Sequence, residues 1–474
     1  FIDISLRFFM AKKLWILTEE RPKKDVLQII IEEFKSLENI DLTIQDLKIT
    51  PILDTSGDFT FEYELIGFSS DQVSQIKLAI ISGKSSFVDF LVYYQEKKPV
   101  PSDKPSMAIE ETKTDDSESR NTGVFQRATK FVYANVFYPN VPLKLLYSLQ
   151  IEEKSAPTHT NIFGTRCLRT LEVDIIGKRS HGPSDRPWTS IDEMIKFKNQ
   201  MRKPPKGNVP INIRKTESLI TISGRLFKAG SLSHDPNIGS LSLISATLRK
   251  LGWEGRIQII QHGLEQHHIT GKNKFIQIAN HLNLELAGLH MPEAEWPHGY
   301  WYYNLNGEKN GSIFLHLLID NFTDANVIYE NHAGCERGYF YTKEQTPLTV
   351  SKRIQNSDGS MPKSNEVIRI PDLVIRDSAK KEIYIIEGEM AKNMQKGIQQ
   401  LDTFTNFENH YVKKYYPEEN VFRSVILFGG NSASIEHSSV SLLLNQFGNI
   451  LLDKHSPQLF RDALLALERL ERFP

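Results

Sequence analysis

One apolar run carries a single carboxylate in its middle: Ser86-Phe87-Val88-Asp89-Phe90-Leu91-Val92-Tyr93-Tyr94. Apolar residues on both sides of Asp89 predict a strand that is buried on both faces. A buried carboxylate without a partner is costly, because it loses its hydration and gains nothing in return. We therefore expect Asp89 to meet charged groups on a neighbouring strand, and we expect this pairing to organise the surrounding fold.

The next apolar run ends in the polar sequence Ile109-Glu110-Glu111-Thr112-Lys113. Successive side chains of a strand point to opposite faces, so Glu111 and Lys113 share one face and Glu110 lies on the other. If the two runs pair, this alternation predicts that Asp89 meets Glu111 and Lys113. Two carboxylates suit a divalent cation, and an ammonium group would stand beside them. Such a set is what metal-assisted hydrolysis of a phosphodiester requires.

Asp89 with Glu111-Thr112-Lys113 resembles the PD-(D/E)XK motif of type II restriction endonucleases, with Val88 in the place of the proline. The resemblance implies an α/β fold with a restriction-endonuclease-like mixed sheet flanked by helices. It also implies that Asp89 and Glu111 bind Mg2+, that Lys113 assists the attacking water, and that cleavage leaves 5′-phosphate and 3′-hydroxyl ends. The alternative for Glu111 and Lys113 is a solvated surface pair, since Glu-X-Lys often occurs by chance.

Two helices are predicted around this first acidic site. The segment from Gly123 to Phe137 has an apolar side and would lie behind the acidic strand. Three residues near its start are expected to contact the phosphate of DNA: Gln126, Arg127 and Lys130. An amphipathic pattern from Pro22 to Leu37 predicts the other helix. The resemblance implies a further acidic residue on that helix, either Glu32 or Glu33.

A second pair of runs carries three carboxylates: Ile370-Pro371-Asp372-Leu373-Val374-Ile375 and Ile383-Tyr384-Ile385-Ile386-Glu387-Gly388-Glu389. Both the proline and the aspartate of the motif are present here. Glu387 and Glu389 share a face, and the short polar turn between the runs predicts a hairpin that brings Asp372 close to them. The resemblance implies that Asp372 and Glu387 bind Mg2+, and that Glu389 stands where the family usually has lysine.

Several interpretations of Glu389 remain open. It can act as a third carboxylate and as the base, the site can borrow Lys392 or Lys396, or the site can be inactive. A structural hairpin with exposed acids is a further alternative. The residues beyond Lys392 predict a helix, and Arg423 to Phe428 predicts a strand. The order strand, hairpin, helix, strand is the one that the nuclease core would have.

Two nuclease-like units in one chain would supply one active site for each strand of a DNA duplex. We expect a unit at 10–160 with Asp89, a basic recognition region at 161–310, and a second unit at 311–474 with Asp372. The chain has 474 residues with 57 basic and 58 acidic side chains, so affinity for DNA has to come from local patches. One basic stretch supplies the expected contacts: Lys196, Lys198, Arg202, Lys203 and Lys206. Its alternative interpretation is a solvated loop.

The remaining features predict little chemistry. Two cysteines, Cys167 and Cys335, are too few for a disulfide framework or a zinc cluster, and a reducing cytoplasm is the expected location. No apolar stretch approaches the roughly 20 residues of a membrane span, and the residues before Met10 are too short and too polar for a secretory signal. Histidines near position 265 match no standard zinc spacing, and aromatic residues 296–303 are expected in a core.

Together these patterns predict a site-specific, Mg2+-dependent endonuclease that cuts double-stranded DNA, either as a monomer with two sites or as a homodimer. A companion DNA methyltransferase is implied by the resemblance to restriction enzymes. Two alternatives remain. In the first, only one site is live and the enzyme acts as a homodimer. In the second, the protein binds DNA without cleaving it, and its buried acids are structural.

Overall fold

The structure is a computed structural model that describes residues 12–83, 87–112, 123–148, 158–178, 186–201, 211–226, 236–305, 307–332, 337–351, 368–431 and 437–470. The described residues form three mixed sheets flanked by helices, which confirms the expected α/β class. Two of the sheets are large and carry the two predicted acidic sites, and a smaller sheet lies between them in the chain.

The first part of the chain builds one large sheet and its helices. Its elements are β1 (Lys12–Thr18), α1 (Lys24–Glu38), β2 (Thr43–Leu53), β3 (Phe59–Ser69), β4 (Val73–Ser82), β5 (Phe90–Tyr94), β6 (Met107–Thr112), α2 (Gly123–Phe137), β7 (Leu143–Tyr147), α3 (His159–Thr170) and β8 (Val173–Gly177). The strand order is β2-β3-β4-β1-β5-β6-β7-β8. The predicted helix from Gly123 to Phe137 is therefore confirmed, and α1 matches the second predicted helix to within two residues.

The middle of the chain builds the small sheet, with the order β12-β11-β10-β9. Its elements are α4 (Ile191–Gln200), β9 (Ile213–Lys215), β10 (Leu219–Ser223), α5 (Pro236–Lys250), β11 (Arg256–Ile260), α6 (Lys274–His281) and β12 (Leu284–Leu286). The short strand β13 (Tyr302–Tyr303) returns to the first sheet and pairs with β4.

The last part builds the second large sheet, in the order β16-β15-β14-β17-β18-β19-β20-β21. Its elements are α7 (Glu308–Phe322), β14 (Asn326–Glu330), β15 (Arg337–Tyr341), β16 (Pro347–Ser351), β17 (Leu373–Asp377), β18 (Glu382–Met390), α8 (Met394–Leu401), α9 (Thr405–Phe407), α10 (Lys413–Tyr415), β19 (Asn420–Phe428), β20 (Val440–Leu444), β21 (Ile450–Leu451) and α11 (Gln458–Glu468). The predicted hairpin and the strand after it are confirmed.

Five adjacent strands have the same relative directions in both large sheets. In the first sheet β5 lies between β1 and β6 and is antiparallel to both, and β7 and β8 continue parallel to β6. In the second sheet β14, β17 and β18 are antiparallel neighbours, and β19 and β20 continue parallel to β18. Helical segments connect β6 to β7 and β18 to β19, because a parallel neighbour can be reached only by a crossover.

Two buried cores each contain side chains from more than one of the three expected ranges, 10–160, 161–310 and 311–474. One cluster contains apolar side chains from Trp15 to Trp301, and so joins the first large sheet to the small one. Another contains side chains from Leu14 to Leu467 and joins the two large sheets. Among the described residues no helix is both long enough and apolar enough to span a membrane.

Candidate functional site

The hairpin of β17 and β18 brings Asp372 and Glu387 face to face. Leu373 pairs with Ile386, so the next antiparallel positions are Asp372 and Glu387. The Asp372 side chain is fixed from the backbone, because its Oδ2 accepts a hydrogen bond from the Gly388 amide at 2.8 Å. Glycine suits this position, since a Cβ atom there would lie 3.0 Å from Asp372 Oδ2. The strand pairing thus presents two carboxylates on one face.

Two further carboxylates join this pair. Glu389 follows Glu387 on the same face of β18, and its side chain is buried. Glu308, at the start of α7, makes a side-chain hydrogen bond with Glu389. Asp372, Glu387, Glu389 and Glu308 will be called the Asp372 cluster. Its positive partner is Lys396 of α8, whose Nζ lies 2.8 Å from Glu389 Oε2, although the lysine side chain is 64% exposed.

Crowding of negative groups controls ionisation in the Asp372 cluster. Burial, followed by Asp372, Glu389 and Glu308, raises the pKa of Glu387 to about 9. Burial and the hydrogen bond with Glu389 also raise the pKa of Glu308. Burial works to raise the pKa of Glu389 too, but hydrogen bonds from Lys396 and Asn393 outweigh it and lower that pKa. Glu389 is therefore an anion that is next to two carboxyl groups which prefer to keep a proton.

The donor chemistry of this cluster fits Mg2+. Every acidic side chain offers hard oxygen atoms, and Mg2+ is commonly held by one or two carboxylates together with water. Asp372 and Glu387 are the pair that faces across the hairpin, so they would hold the ion. A divalent cation would also relieve the repulsion that raises the pKa of Glu387.

The hairpin of β5 and β6 corrects the expected partner of Asp89. Phe90 pairs with Ile109, so Asp89 faces Glu110 and not Glu111. The prediction that Asp89 meets the Glu111 side chain is wrong, because the strands pair one residue away from the assumed register. Glu111 contributes its backbone amide, which donates to Asp89 Oδ2 at 2.7 Å. Lys113 lies outside the described residues.

The side chain of Glu111 lies on the opposite face of β6. It accepts a hydrogen bond from Ser148 Oγ, and Lys23 Nζ lies 3.7 Å from its Oε1. Glu111 is buried in these surroundings. It is therefore held in an ion pair with Lys23, on the face of the sheet that Asp89 does not occupy.

Asp89 and Glu110 share an ammonium group from α2. Lys130 Nζ lies 3.3 Å from Asp89 Oδ1 and 2.8 Å from Glu110 Oε2. Arg127 Nε lies 3.7 Å from Glu110 Oε1. Asp89, Glu110, Lys130 and Arg127 will be called the Asp89 cluster. Burial, followed by Asp89, raises the pKa of Glu110 well above its ordinary value, against the opposing effect of Lys130 and Arg127.

A second lysine lies close to the Asp89 cluster. Burial, with a smaller contribution from Lys130, lowers the pKa of Lys274 to about 7. The backbone before Asp89 is also fixed, because the Val88 amide donates to the Tyr300 hydroxyl at 2.9 Å. Lys130 and Arg127 therefore balance the charges of the two carboxylates, and the hydrogen bond to Tyr300 fixes the backbone beside Asp89.

The two clusters can be aligned position by position through their backbone hydrogen bonds. Asp89 corresponds to Asp372, and Glu110 corresponds to Glu387. Glu111 corresponds to Gly388, since each of these amides donates to the aspartate Oδ2. The third position of the motif is Thr112 in the first sheet and Glu389 in the second. At the end of the neighbouring strand, the amides of Glu19 and Asn331 donate to the aspartate carbonyl oxygens at 2.9 and 2.7 Å.

The residues predicted to contact DNA have varied surroundings. Arg127 and Lys130 point into the Asp89 cluster, and the side chain of Gln126 is outside the described part of the chain. Lys196 is exposed on α4. Lys198 Nζ lies 5.8 Å from the centre of the Phe163 ring, and burial lowers its pKa. Arg202, Lys203 and Lys206 fall outside the described residues.

Other acids and aromatic residues that the sequence singled out are used structurally. Glu32 pairs with Lys35 of the same helix, and Glu33 pairs with Lys144 of β7. Trp301 is buried, and its Nε1 donates to the hydroxyl groups of Tyr93 and Tyr138.

Sequence reasoning missed two members of the clusters. The expected register keeps Glu110 away from Asp89, while Glu308 lies far from the hairpin in the chain and belongs to no recognisable motif. Lys396 is one of the two lysines that the sequence offers to the second site.

The chain was also compared with known proteins. No protein-family model matches it, and no curated protein or solved structure is significantly similar to it.

Proposed function

We propose that the protein is a magnesium-dependent endonuclease that cleaves double-stranded DNA, and that the Asp372 cluster is its active site. The observation that carries the proposal is the facing pair Asp372 and Glu387, with Glu389, Glu308 and Lys396 around it. The order of strand, hairpin, helical segment and parallel strand supports a restriction-endonuclease-like fold for this unit. The products would be 5′-phosphate and 3′-hydroxyl ends.

Each group of the Asp372 cluster has a defined task in this proposal. Asp372 and Glu387 hold the ion, and the Gly388 amide keeps the Asp372 carboxylate turned toward Glu387. A bound Mg2+ supplies a lower pKa for coordinated water and a positive charge for the phosphate. Hydrogen bonds from Lys396 and Asn393 keep Glu389 ionised, so its carboxylate would orient the attacking water and accept a proton from it. Lys396 is exposed enough to reach the phosphate and neutralise its charge.

We also propose that one site per chain is live. In the Asp89 cluster, Lys130 already stands between the two carboxylates, and Arg127 adds a second positive group. A cation would have to displace a buried lysine there, whereas the Asp372 cluster has a surplus of carboxylates. Thr112 also lacks the carboxylate that Glu389 supplies. Cleavage of both DNA strands would then require a homodimer or a second binding event.

The test is digestion of supercoiled plasmid with Mg2+ by the wild type, Asp372→Asn and Asp89→Asn. Asp402→Asn is the matched control, since Asp402 is an exposed acid that follows α8. We expect Asp372→Asn to lose both cuts, and Asp89→Asn and the control to cleave normally. If Asp372→Asn and Asp89→Asn each give only nicked circles, each cluster cuts one strand of the DNA. The proposal is contradicted if the wild type leaves every tested plasmid intact, both with Mg2+ and with Mn2+.

Site specificity, a companion DNA methyltransferase and a cytoplasmic location belong to the same proposal. Discrete fragments from a plasmid library would support recognition of a defined sequence, whereas a smear would indicate cleavage without specificity. Protection of those fragments by methylation of the recognised bases would support the partner methyltransferase.

A further inference from the structure

A cleft of about 480 Å³ lies between the two large sheets. One wall comes from the chain after β1 and the start of α1, including Arg21 and Lys23, and the other comes from α7, β14 and β15. Two buried histidines and two carboxylates line it: His316, His332, Asp320 and Glu330. None of these four residues belongs to the Asp372 cluster or the Asp89 cluster.

Three donor atoms converge in this cleft at the spacing of metal ligands. His316 Nδ1 and His332 Nε2 are 2.9 Å apart, and each lies 3.3 Å from Glu330 Oε2. For bonds of about 2.0–2.2 Å to nitrogen and oxygen, neighbouring ligands of a tetrahedral or octahedral ion are about 2.9–3.5 Å apart. The three atoms therefore form one triangular face of a coordination sphere.

The outward-facing nitrogen of each imidazole is also held. His316 Nε2 lies 3.1 Å from Asp320 Oδ2, and His332 Nδ1 lies 2.8 Å from Ser312 Oγ. Polar partners of this kind fix the orientation of metal-binding histidines and direct the other nitrogen toward the ion. Arg21 does the same for the carboxylate, because its Nη2 donates to Glu330 Oε1 at 3.1 Å and its Nε donates to Oε2 at 2.6 Å.

The balance of charge leaves room for a cation. Asp320 and Glu330 are two carboxylates, and Arg21 pairs with both of them as one positive charge. A metal ion binds imidazole in its neutral form, and with both imidazoles neutral the group would carry a net negative charge. His316 and His332 are almost fully buried, with 4% and 5% of their side chains exposed, so solvent does little to screen that charge.

We propose that His316, His332 and Glu330 bind a first-row transition metal ion with the preferences of Zn2+. Two nitrogen donors and one oxygen donor favour Zn2+ over Mg2+, which prefers oxygen atoms alone. The remaining coordination positions of the ion would face the cleft. The ion would share Glu330 with Arg21, which donates to the same carboxylate from the first part of the chain. This site does not depend on the proposed nuclease activity.

The first experiment uses the tag-free full chain after treatment with a chelator. Calorimetric titration with Zn2+ should give one tight equivalent per chain, and X-ray absorption of the Zn2+-loaded wild type should detect two imidazole neighbours. A spectrum with fewer than two imidazoles would overturn the proposal, and so would the absence of a tight equivalent. Because this measurement is made on the wild type, it does not depend on whether any variant folds.

Variants then assign the ligands. His316→Ala and His332→Gln should each lose the tight equivalent, and Asp320→Asn should weaken Zn2+ binding about 10- to 100-fold. The control is the double variant His267→Ala with His268→Ala, since these residues form another candidate group with Glu265 outside the cleft. The control should keep the tight equivalent. Loss of the tight equivalent in the control, or its survival in either His316→Ala or His332→Gln, would overturn the proposal.

Discussion

The Asp89 and Asp372 clusters have the same backbone frame and different charges. In both hairpins an aspartate faces a glutamate, and the aspartate Oδ2 accepts a hydrogen bond from the amide after that glutamate. In the first sheet a lysine with only 21% of its side chain exposed bridges the two acids. In the second sheet, within the described residues, two further carboxylates, Glu389 and Glu308, stand beside the pair, and the lysine next to Glu389 is 64% exposed.

Strand topology therefore sets the position of each cluster, and the surrounding helices determine what the cluster can bind. Helix α2 supplies Lys130 to neutralise Asp89 and Glu110. Helix α7 instead supplies Glu308 to increase the negative charge around Glu387. A pair of carboxylates that already has its cation gains little from a metal ion, whereas a crowded acidic cluster gains much.

The largest effect is expected when Glu389 is converted to the residue at the corresponding position of the first cluster. Glu389→Thr should reduce plasmid cleavage about 100- to 10,000-fold, because it removes the group that accepts a proton from water. Thr112→Val should leave the cleavage rate within about twofold of the wild type. Rates under single-turnover conditions measure both effects. Equal losses in the two variants would show that the first cluster is also catalytic.

Removal of the lysine should cost much more stability in the first cluster than in the second. Lys130→Met leaves Asp89 and Glu110 buried without their bridging cation, and should lower the free energy of unfolding by about 3–5 kcal/mol. Lys396→Met should cost less than about 1 kcal/mol, since its ion pair is largely exposed. Urea denaturation measures both values.

Added Mg2+ should affect the stability of the two lysine variants differently. Once Lys130 is removed, Asp89 and Glu110 should become able to bind Mg2+, so Lys130→Met should regain stability as Mg2+ is added. The same stability in Lys130→Met and Lys396→Met would contradict the claim that the two clusters differ in their need for a cation.

A smaller effect is expected at the glycine of the second hairpin. Gly388→Ala places a Cβ atom about 3.0 Å from Asp372 Oδ2 and should break the hydrogen bond that orients this carboxylate. The cost to stability should be about 1 kcal/mol, and a larger Mg2+ concentration should be needed for half-maximal cleavage. Glu111→Ala, at the corresponding position of the first hairpin, is the control for the Mg2+ requirement. If Gly388→Ala needs no more Mg2+ than the control, the orienting role of this amide is wrong.

The pH dependence of stability in the metal-free protein is expected to depend on Glu387. Burial and neighbouring carboxylates raise the folded-state pKa of Glu387 to about 9, from an ordinary value of 4.5. The folded chain therefore binds this proton more tightly than the unfolded chain. The resulting stabilisation is complete below pH 4.5 and is lost as the pH rises toward 9.

Glu387→Gln removes that titration and serves as the comparison. Between pH 5 and pH 9 the Tm of the wild type should fall further than that of Glu387→Gln, by on the order of 5 °C. Mg2+ should reduce the difference because it stabilises the ionised carboxylate. Parallel Tm curves for the two proteins would mean that Glu387 is ionised throughout this range.

Local sequence patterns predict the main elements around the two clusters. Apolar runs, turns and helical spacing predicted both hairpins, the helix Gly123–Phe137 and the strand that follows the second hairpin. Alternation along β18 was enough to bring Glu387 and Glu389 to one face, because the alternation of side chains is a property of a single strand.

Contacts between side chains of different elements follow from the tertiary structure and could not be predicted from local patterns. The pairing of β5 with β6 is shifted by one residue from the expected register, and this shift exchanges Glu111 for Glu110 beside Asp89. Lys130 and Glu308 reach the clusters from helices, and His316 meets Glu330 and His332 through the packing of α7 on β14. Such meetings depend on strand register and helix packing, which are set by long-range burial that no local pattern records.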